Sequence, residues 1–260
     1  MTRLDILLVE RGYALSRNKA QELIKSSAVL VTGVPERKLK PSLNLPDDAV
    51  IKLKASKAGT DGQTVSIGGV QATHYVARSA FKLLNALDET LCSAIAGGRC
   101  LDVGASTGGF VQVLLEKGAQ EVVALDVGRG QLNESLASNP RVSSLEGINV
   151  KDAKFSKEFD IITVDVSFIS VTHIIRQVAS FLKTSGYAII LVKPQFEVGN
   201  FSTKRFKNGV VNDDALISRC VENIIAQCAD VGLMKIRLEP AAIQGKRGNT
   251  EWVLVLKSSF

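Results

Sequence analysis

The sequence predicts an α/β protein in which a small α+β domain precedes a larger domain built on a mostly parallel, seven-stranded sheet. From residue 75 onward, short apolar runs alternate with helical patterns, which is typical of strands joined by crossover helices. Runs such as 161–164 and 188–192 are continuously apolar, as expected of strands that helices cover on both faces. The last two strands follow each other without a helix, which predicts a reversed hairpin at the edge of the sheet.

Local signals set the order of the elements and the domain bounds. In the first domain a short helix over 4–8 stops at Gly12, and Ser16 caps a second helix over 17–26. Strands at 29–31 and 50–53 complete this domain. In the second domain we place strands at 99–103, 121–126, 142–146, 159–165, 186–193, 234–239 and 251–257, with helices near 77–89, 107–117, 170–182 and 213–230. The predicted domains are 1–56 and 75–260, and the Gly-, Ser- and Thr-rich stretch between them makes 57–74 a flexible linker.

Composition argues against several classes of protein. Cys92, Cys100, Cys220 and Cys228 form no C-x-x-C pair, so we expect no metal site and reduced thiols in a cytoplasmic protein. No apolar run approaches the roughly 18–20 residues that span a bilayer, and the N-terminus lacks the pattern of a secretory signal. We therefore expect no stable association with a membrane.

A glycine-rich turn over 101–110 is the candidate cofactor site, because it ends a predicted strand and opens a helix. Its glycines follow G-x-x-x-G-G, which does not match the G-x-G-x-x-G of dinucleotide sites; a packing turn without a ligand remains the alternative. Asp102 suits a cationic ligand, Asp126 ends the next strand where a carboxylate can accept both ribose hydroxyls, and Asn149 is a candidate neighbour of adenine. These features predict S-adenosylmethionine. The predicted cofactor-binding residues are Asp102, Gly104, Ala105, Ser106, Gly108, Gly109, Phe110, Asp126 and Asn149.

The first domain is basic and is predicted to bind RNA. Residues 1–60 hold 11 Lys and Arg against 6 Asp and Glu, a net charge of +5, whereas the rest of the chain carries +1. A basic module beside a neutral body indicates a polyanionic partner. The pattern from Ser16-Arg17 to Thr32-Gly33 resembles the αL-motif RNA-binding domain of a ribosomal small-subunit protein, pseudouridine synthases and tyrosyl-tRNA synthetases. The candidate RNA-binding residues are Arg3, Arg11, Arg17, Lys19, Lys25, Lys38 and Lys40.

Motifs in the second domain resemble one family closely. They are Arg78 and Lys82 in the first helix, and the segments 164–169, 191–197, 209–211 and 248–251. Together they are similar to the TlyA subgroup of FtsJ-like ribose methyltransferases, which carry the same N-terminal domain; this chain departs in having Ser79-Ala80 where two glycines are usual. The resemblance implies a Rossmann-like methyltransferase fold, structured RNA, in particular ribosomal RNA, as substrate, and a catalytic tetrad of Lys82, Asp165, Lys193 and Glu251.

The tetrad suits the chemistry of a ribose 2′-hydroxyl, which needs a base to take its proton during methyl transfer. A lysine amine can act as that base where burial and a neighbouring cation favour its neutral form. We expect Lys193 to be the base, Lys82 the neighbouring cation, and Asp165 and Glu251 to orient them. No proline follows Asp165, which argues against methylation of an exocyclic amine, and no cysteine is placed for carbon methylation.

Three alternatives remain open at this point. Asp165, Lys193, Lys82 and Glu251 could form an ion-pair network that only ties strands together. Members of the family have been called haemolysins, so a membrane-active protein is the second alternative, and liposome leakage would distinguish it. The third is an RNA-binding ribosome assembly factor that uses a methyltransferase scaffold without turnover.

Overall fold

The computed structural model describes residues 1–10, 17–25, 29–46, 49, 51–53, 66–67, 70–71, 75–156, 158–198, 206–207, 210–245 and 248–259. The chain folds as two compact units, Met1–Arg78 and Ser79–Phe260. The predicted caps Gly12 and Ser16 lie outside the described residues, as does most of the predicted linker.

The N-terminal unit packs two helices over short strand pairs. Its elements are β1 (Thr2–Arg3), α1 (Leu4–Glu10), α2 (Arg17–Lys25), β2 (Val29–Val31), β3 (Asn44–Leu45), β4 (Ile51–Leu53), β5 (Ser66–Ile67) and β6 (Val70–Gln71), with a 3₁₀ turn at Glu36–Lys38. Strand β1 pairs with β3, β2 with β4, and β5 with β6, all antiparallel. The i, i+3, i+4 spacing of Leu4, Leu7 and Leu8 puts these side chains on the face of α1 that joins the core with Ala20 and Ile24.

The larger unit contains the elements of an alternating α/β domain. Its strands are β7 (Arg99–Val103), β8 (Glu121–Asp126), β9 (Val142–Glu146), β10 (Phe159–Val164), β11 (Leu182–Val192), β12 (Phe206–Lys207), β13 (Val210–Val211), β14 (Leu233–Pro240) and β15 (Trp252–Ser258). Its helices are α3 (Ala80–Ala86), α4 (Glu89–Ile95), α5 (Gly109–Glu116), α6 (Glu134–Ala137), α7 (Ile175–Phe181), α8 (Pro194–Glu197) and α9 (Asp214–Asp230).

Among the described residues, seven strands form one sheet in the order β14-β15-β11-β10-β7-β8-β9. The five neighbouring strands β11, β10, β7, β8 and β9 are parallel, whereas β15 runs antiparallel to both β11 and β14. The predicted fold class and its reversed terminal hairpin are confirmed. The hairpin is inserted so that β15 lies inside the sheet and β14 forms the edge.

Two helices differ from the prediction. The helix expected over 77–89 is two helices, because Leu87 is extended and the Asp88 side chain accepts a hydrogen bond from Leu91 N at 2.9 Å, which caps α4. The helix expected over 170–182 begins as a 3₁₀ turn at Val171–His173, which the Ser170 side chain caps, and then continues as α7.

Strand order determines where a ligand can bind. The chain builds β7, β8 and β9 to one side and then returns to place β10 and β11 on the other side of β7. In open α/β sheets, ligands bind outside the carboxyl ends of the strands at such a switch point. The carboxyl ends of β7 and β10 therefore define the candidate site.

Candidate active site

The turn after β7 brings the backbone close to its neighbours. Gly104 has φ of +87°, and a Cβ there would lie 2.7 Å from the carbonyl oxygen of Asp165. Gly108 caps α5 with φ of +97°, and a Cβ there would collide with the side chains of Leu132 and Leu136. Both positions therefore require glycine. The turn lies directly against the backbone that carries Asp165, so the predicted cofactor and acceptor sites adjoin.

Asp126 is organised by the same turn. Its Oδ2 accepts a hydrogen bond from the backbone N–H of Ser106 at 2.8 Å, and its Oδ1 accepts one from Gly128 N at 2.7 Å. Each carboxylate oxygen keeps further acceptor capacity. The next side chain, Val127, is 70% exposed and offers an apolar surface at the end of β8. A carboxylate fixed beside an exposed apolar side chain fits an adenosyl group, whose ribose is a donor and whose base is flat and weakly polar.

The remaining predicted cofactor residues differ in exposure. Ser106 is exposed, whereas Ala105, Gly109 and Phe110 are buried in the turn and at the start of α5. Asp102 is 1% exposed, and its Oδ1 accepts a hydrogen bond from Thr163 Oγ1 at 2.7 Å. Burial raises the pKa of Asp102 to about 7, the negative charges of Asp165 and Asp126 add to the shift, and the Thr163 hydrogen bond opposes it.

Asn149 is exposed just beyond β9, and its side chain is engaged locally. Its Oδ1 accepts a hydrogen bond from Lys151 N at 3.0 Å. The sequence reasoning missed Glu146 at the end of β9, whose carboxylate accepts hydrogen bonds from Gly130 N, Gln131 N and Leu132 N. These three hydrogen bonds hold the loop whose Leu132 side chain packs against Gly108. They also keep the pKa of Glu146 below its ordinary value.

The structure brings the four tetrad residues together as two ion pairs. Lys82, in α3, pairs with Glu251 just before β15, and both side chains are buried. Lys193, at the end of β11, has its Nζ 2.5 Å from Asp165 Oδ1, an ion pair without the alignment of a hydrogen bond. The Nζ of Lys193 also donates to Ser167 Oγ at 2.9 Å.

Sheet register joins the two pairs. Val192 on β11 is opposite Trp252 on β15, so Lys193 and Glu251 occupy the next positions at the ends of neighbouring antiparallel strands. A Cβ at Gly245 would collide with a carboxylate oxygen of Glu251, and Gly245 N bonds to Asn249 O at 2.9 Å, so the preceding loop also holds Glu251 in place. The four charged side chains thus form one site at the carboxyl ends of the parallel strands.

Burial makes this site chemically unusual. Lys82, Lys193 and Glu251 are only 6%, 7% and 4% exposed, and buried charges are stable only when paired. Two lysines balance two carboxylates, so the cluster is neutral as a whole. An amine held this way, away from bulk water, is placed to form a hydrogen bond with a bound hydroxyl.

An exposed aromatic side chain beside the tetrad was also missed. Phe168 is 88% exposed, has φ of +67°, and its ring centroid lies 5.2 Å from that of Phe196. A large residue in the left-handed region is strained, and such positions concentrate at functional sites. The signal in the sequence was the position of Ser167 and Phe168, two and three residues after Asp165.

The predicted RNA-binding residues fall into two groups. Arg3 and Arg17 each donate to the fully buried Asp5 carboxylate, with guanidinium–carboxylate distances down to 3.0 and 2.9 Å. Lys25, Lys38 and Lys40 are exposed. Arg11 lies outside the described residues, and only the backbone of Lys19 is described.

Neither a metal cluster nor a membrane span occurs in the described part of the chain. Within it, no group of three or more His, Cys, Asp or Glu side chains is arranged to hold a metal ion, and the four cysteines are free thiols. No helix among these residues is both long enough and apolar enough to cross a bilayer.

Comparison of the chain with known proteins identifies its family. The FtsJ-like methyltransferase model matches residues 75–258, and the S4 domain model matches residues 2–40. The chain belongs to the FtsJ-like methyltransferase family. The predicted family, fold and S-adenosylmethionine cofactor are therefore confirmed, and the S4 match supports RNA as a partner.

Three relatives resemble the chain over nearly its full length. The 16S/23S rRNA (cytidine-2'-O)-methyltransferase TlyA of Mycobacterium tuberculosis is 37% identical over 98% of this chain and 90% of its own. The 23S rRNA (cytidine-2'-O)-methyltransferase TlyA of Campylobacter jejuni is 36% identical over 94% of this chain and 95% of its own. A solved Streptococcus thermophilus protein that carries the hemolysin name is 32% identical, with a TM-score of 0.72 over 99% of this chain and 88% of its own.

Proposed function

We propose that this chain uses S-adenosylmethionine to methylate the 2′-hydroxyl of a cytidine in ribosomal RNA. The observation that carries the proposal is the pair of buried lysine–carboxylate contacts, Lys193–Asp165 and Lys82–Glu251, next to the Gly104 turn. The names of the M. tuberculosis and C. jejuni relatives support cytidine as the acceptor nucleotide.

The turn and β8 would hold the cofactor. Asp126 would accept the ribose hydroxyls, Val127 would contact the adenine, and the backbone from Gly104 to Gly108 would line the rest of the ligand. Bound S-adenosylmethionine supplies an electrophilic methyl group. Because Gly104 abuts the Asp165 backbone, the methyl group and the acceptor hydroxyl would be positioned by adjoining parts of the chain.

Lys193 would be the general base. Asp165 and Ser167 occupy two of the directions around its Nζ, which leaves a restricted direction for the acceptor hydroxyl. A neutral amine would take the hydroxyl proton through its lone pair as the oxygen attacks the methyl group. Glu251, at the strand position opposite Lys193, would hold Lys82 in the same site.

Phe168 would contact the base of the acceptor nucleotide. Proteins that modify RNA commonly take the target nucleotide out of the stack and pack its base on an aromatic side chain. An 88% exposed ring three residues after Asp165 provides that surface beside the tetrad.

The N-terminal unit would provide affinity for the RNA backbone. Exposed Lys25, Lys38 and Lys40 are suited to phosphate contacts, which bind without reading sequence. We propose residues 1–56 as the RNA-binding domain, 57–74 as its linker and 75–260 as the catalytic domain. Assembled or partly assembled ribosomal subunits would be the substrate, and the cytoplasm would be the location.

The experiment is to incubate the protein with labelled S-adenosylmethionine and separated ribosomal subunits, and then to map the label. We expect label in one or a few alkali-resistant dinucleotides, because a methylated 2′-oxygen blocks hydrolysis of the adjoining phosphodiester. Label recovered on a base, or no transfer to either subunit, would contradict the proposal. Leakage from liposomes in the absence of transfer would favour the membrane-active alternative.

A further inference from the structure

The loop that follows β10 and the segment that follows β11 are tied together at three points. Lys193 contacts Asp165 and Ser167, Phe196 contacts Phe168, and Glu197 contacts the residues after them. Lys193, Phe196 and Glu197 have i, i+3, i+4 spacing at the one-turn helix α8, which puts the three side chains on one face. Two of these points belong to the proposed site, and Glu197 is the third.

Glu197 binds the far end of the loop. Its Oε2 accepts a hydrogen bond from Ser170 Oγ at 2.5 Å, and its Oε1 accepts one from Val171 N at 3.0 Å. Ser170 is also fixed from its other side, because its Oγ accepts from Thr172 N at 3.2 Å and caps the 3₁₀ turn. Burial raises the pKa of Glu197, while the hydrogen bonds from Ser170 and Val171 and the nearby His173 oppose the shift.

The loop needs such a tie, because its backbone is strained. Phe168 has φ of +67° without packing that buries its ring, and a residue in this region relaxes unless its surroundings fix it. The contacts of Asp165 and Ser167 fix the loop before Phe168, and those of Glu197 fix it after Phe168.

We propose that Glu197 is a positioning residue for methyl transfer, which holds the Asp165–Ser170 loop against the Lys193 segment and so fixes the base and the aromatic contact. This inference rests on the proposed function. Glu197 would act through hydrogen-bond acceptance and not through its charge, since it binds one backbone N–H and one hydroxyl.

The test compares Glu197→Ala, Glu197→Gln and Asp160→Ala in the full-length protein. Asp160 is the matched control: its carboxylate likewise accepts a backbone N–H, from Arg99 at 2.8 Å, and a side-chain donor, Lys183, but at the opposite end of β10. The measurements are methyl transfer at saturating S-adenosylmethionine and ribosomal subunits, the cofactor dissociation constant, and hydrogen exchange of the peptide that contains Val171.

Glu197→Ala should lower kcat by about 10–100-fold, the scale of a small misplacement of reacting groups, with the cofactor dissociation constant changed less than about threefold. The amide of Glu197→Gln can accept from Val171 N and meet Ser170 Oγ, so this variant should keep kcat within about fivefold of wild type. Exchange at the Val171 peptide should rise in the alanine variant, and Asp160→Ala should leave both exchange there and kcat unchanged.

Near-wild-type kcat in Glu197→Ala would overturn the inference, as would unchanged exchange at the Val171 peptide. Equal loss in the alanine and glutamine variants would also overturn it, because the charge would then be the required feature. If wild-type protein transfers no methyl group to RNA, the proposed function fails, and the positioning role fails with it; an exchange increase in the alanine variant would then mark Glu197 as a tie of the fold alone.

Discussion

Both units of the molecule bury charged groups, but they use them differently. In the N-terminal unit the Asp5 carboxylate is fully buried, while the two arginines that bind it remain 40% and 54% exposed. In the larger unit both members of each tetrad pair are largely withdrawn from water. The first cluster joins α1 to α2 at the protein surface, and the second is buried at the carboxyl ends of the sheet strands.

The difference distinguishes a structural ion pair from one to which we propose a catalytic role. Arginine in the Asp5 cluster stays protonated at any physiological pH, and its planar donors fit a carboxylate. An amine can serve as a proton acceptor in a way that a guanidinium cannot, and the tetrad offers lysines where the Asp5 cluster offers arginines. We therefore propose a catalytic role for the lysine cluster beside the glycine turn, whereas the arginines of the Asp5 cluster hold its helices together.

The largest expected effect comes from removing the proposed base. Lys193→Met should reduce methyl transfer by about 10²–10⁴-fold or more, because the ribose hydroxyl then has no proton acceptor. Affinity for S-adenosylmethionine and for RNA should stay within a few fold. Lys183→Met is the matched control, since this lysine is half-exposed and pairs with Asp160 at the opposite, amino ends of β11 and β10. Turnover above about a tenth of wild type in Lys193→Met would show that another group is the base.

Cofactor affinity should respond next most strongly. Asp126→Ala should weaken S-adenosylmethionine binding by about 1.5–3 kcal/mol, the scale for hydrogen bonds to a charged group. The structure adds a second reason, because Ser106 N and Gly128 N lose their acceptor and the turn loses its shape. Calorimetry measures the effect. Asp126→Asn keeps one acceptor oxygen, so its affinity for S-adenosylmethionine should lie between those of wild type and Asp126→Ala. Unchanged affinity in Asp126→Ala would remove this carboxylate from the cofactor site.

The sequence predicted those parts of the fold and site that depend on local pattern. The strand at 99–103 and the glycine turn were found because apolar periodicity and glycine spacing are local properties. The tetrad was found through family motifs, yet its pairing depends on the register between Val192 and Trp252, which no local signal shows. Glu197 lies in the family motif at 191–197, but the sequence indicates no role for it, because its partners Ser170 and Val171 approach it only in the folded chain.

The structural cluster should respond to pH in a defined direction. Burial alone would raise the pKa of Asp5, but hydrogen bonds from Arg3, Arg17 and Gln21 outweigh it and hold the pKa below its ordinary value. Stability from Asp5 is therefore fully present above its unfolded pKa of about 3.9 and is lost as pH falls through the lower folded value.

Asp5→Asn should accordingly destabilise the N-terminal unit by about 1–3 kcal/mol at neutral pH and by progressively less below about pH 4. Hydrogen exchange of the α1 amides, measured from pH 6 to pH 3 and corrected for the intrinsic rate, tests this. A difference between wild type and variant that stays constant over this range would mean that the Asp5 charge does not stabilise the unit.

The smallest effect concerns RNA binding, and the structure decides which residues to change. Arg17 is a poor choice, because its substitution would also remove a donor from Asp5 and disturb the fold.

Lys38 and Lys40 are exposed near the end of the 3₁₀ turn, so Lys38→Ala with Lys40→Ala should alter charge alone. If both contact phosphates, the slope of log affinity against log salt should become shallower by up to about 2, with a few-fold loss of affinity and unchanged cofactor binding. Lys117→Ala with Lys183→Ala is the control, because it removes the same charge at the amino ends of the strands, away from the tetrad. Filter binding of ribosomal RNA across a salt series measures both slopes, and an equal slope for the two double variants would mean that Lys38 and Lys40 do not contact the RNA backbone.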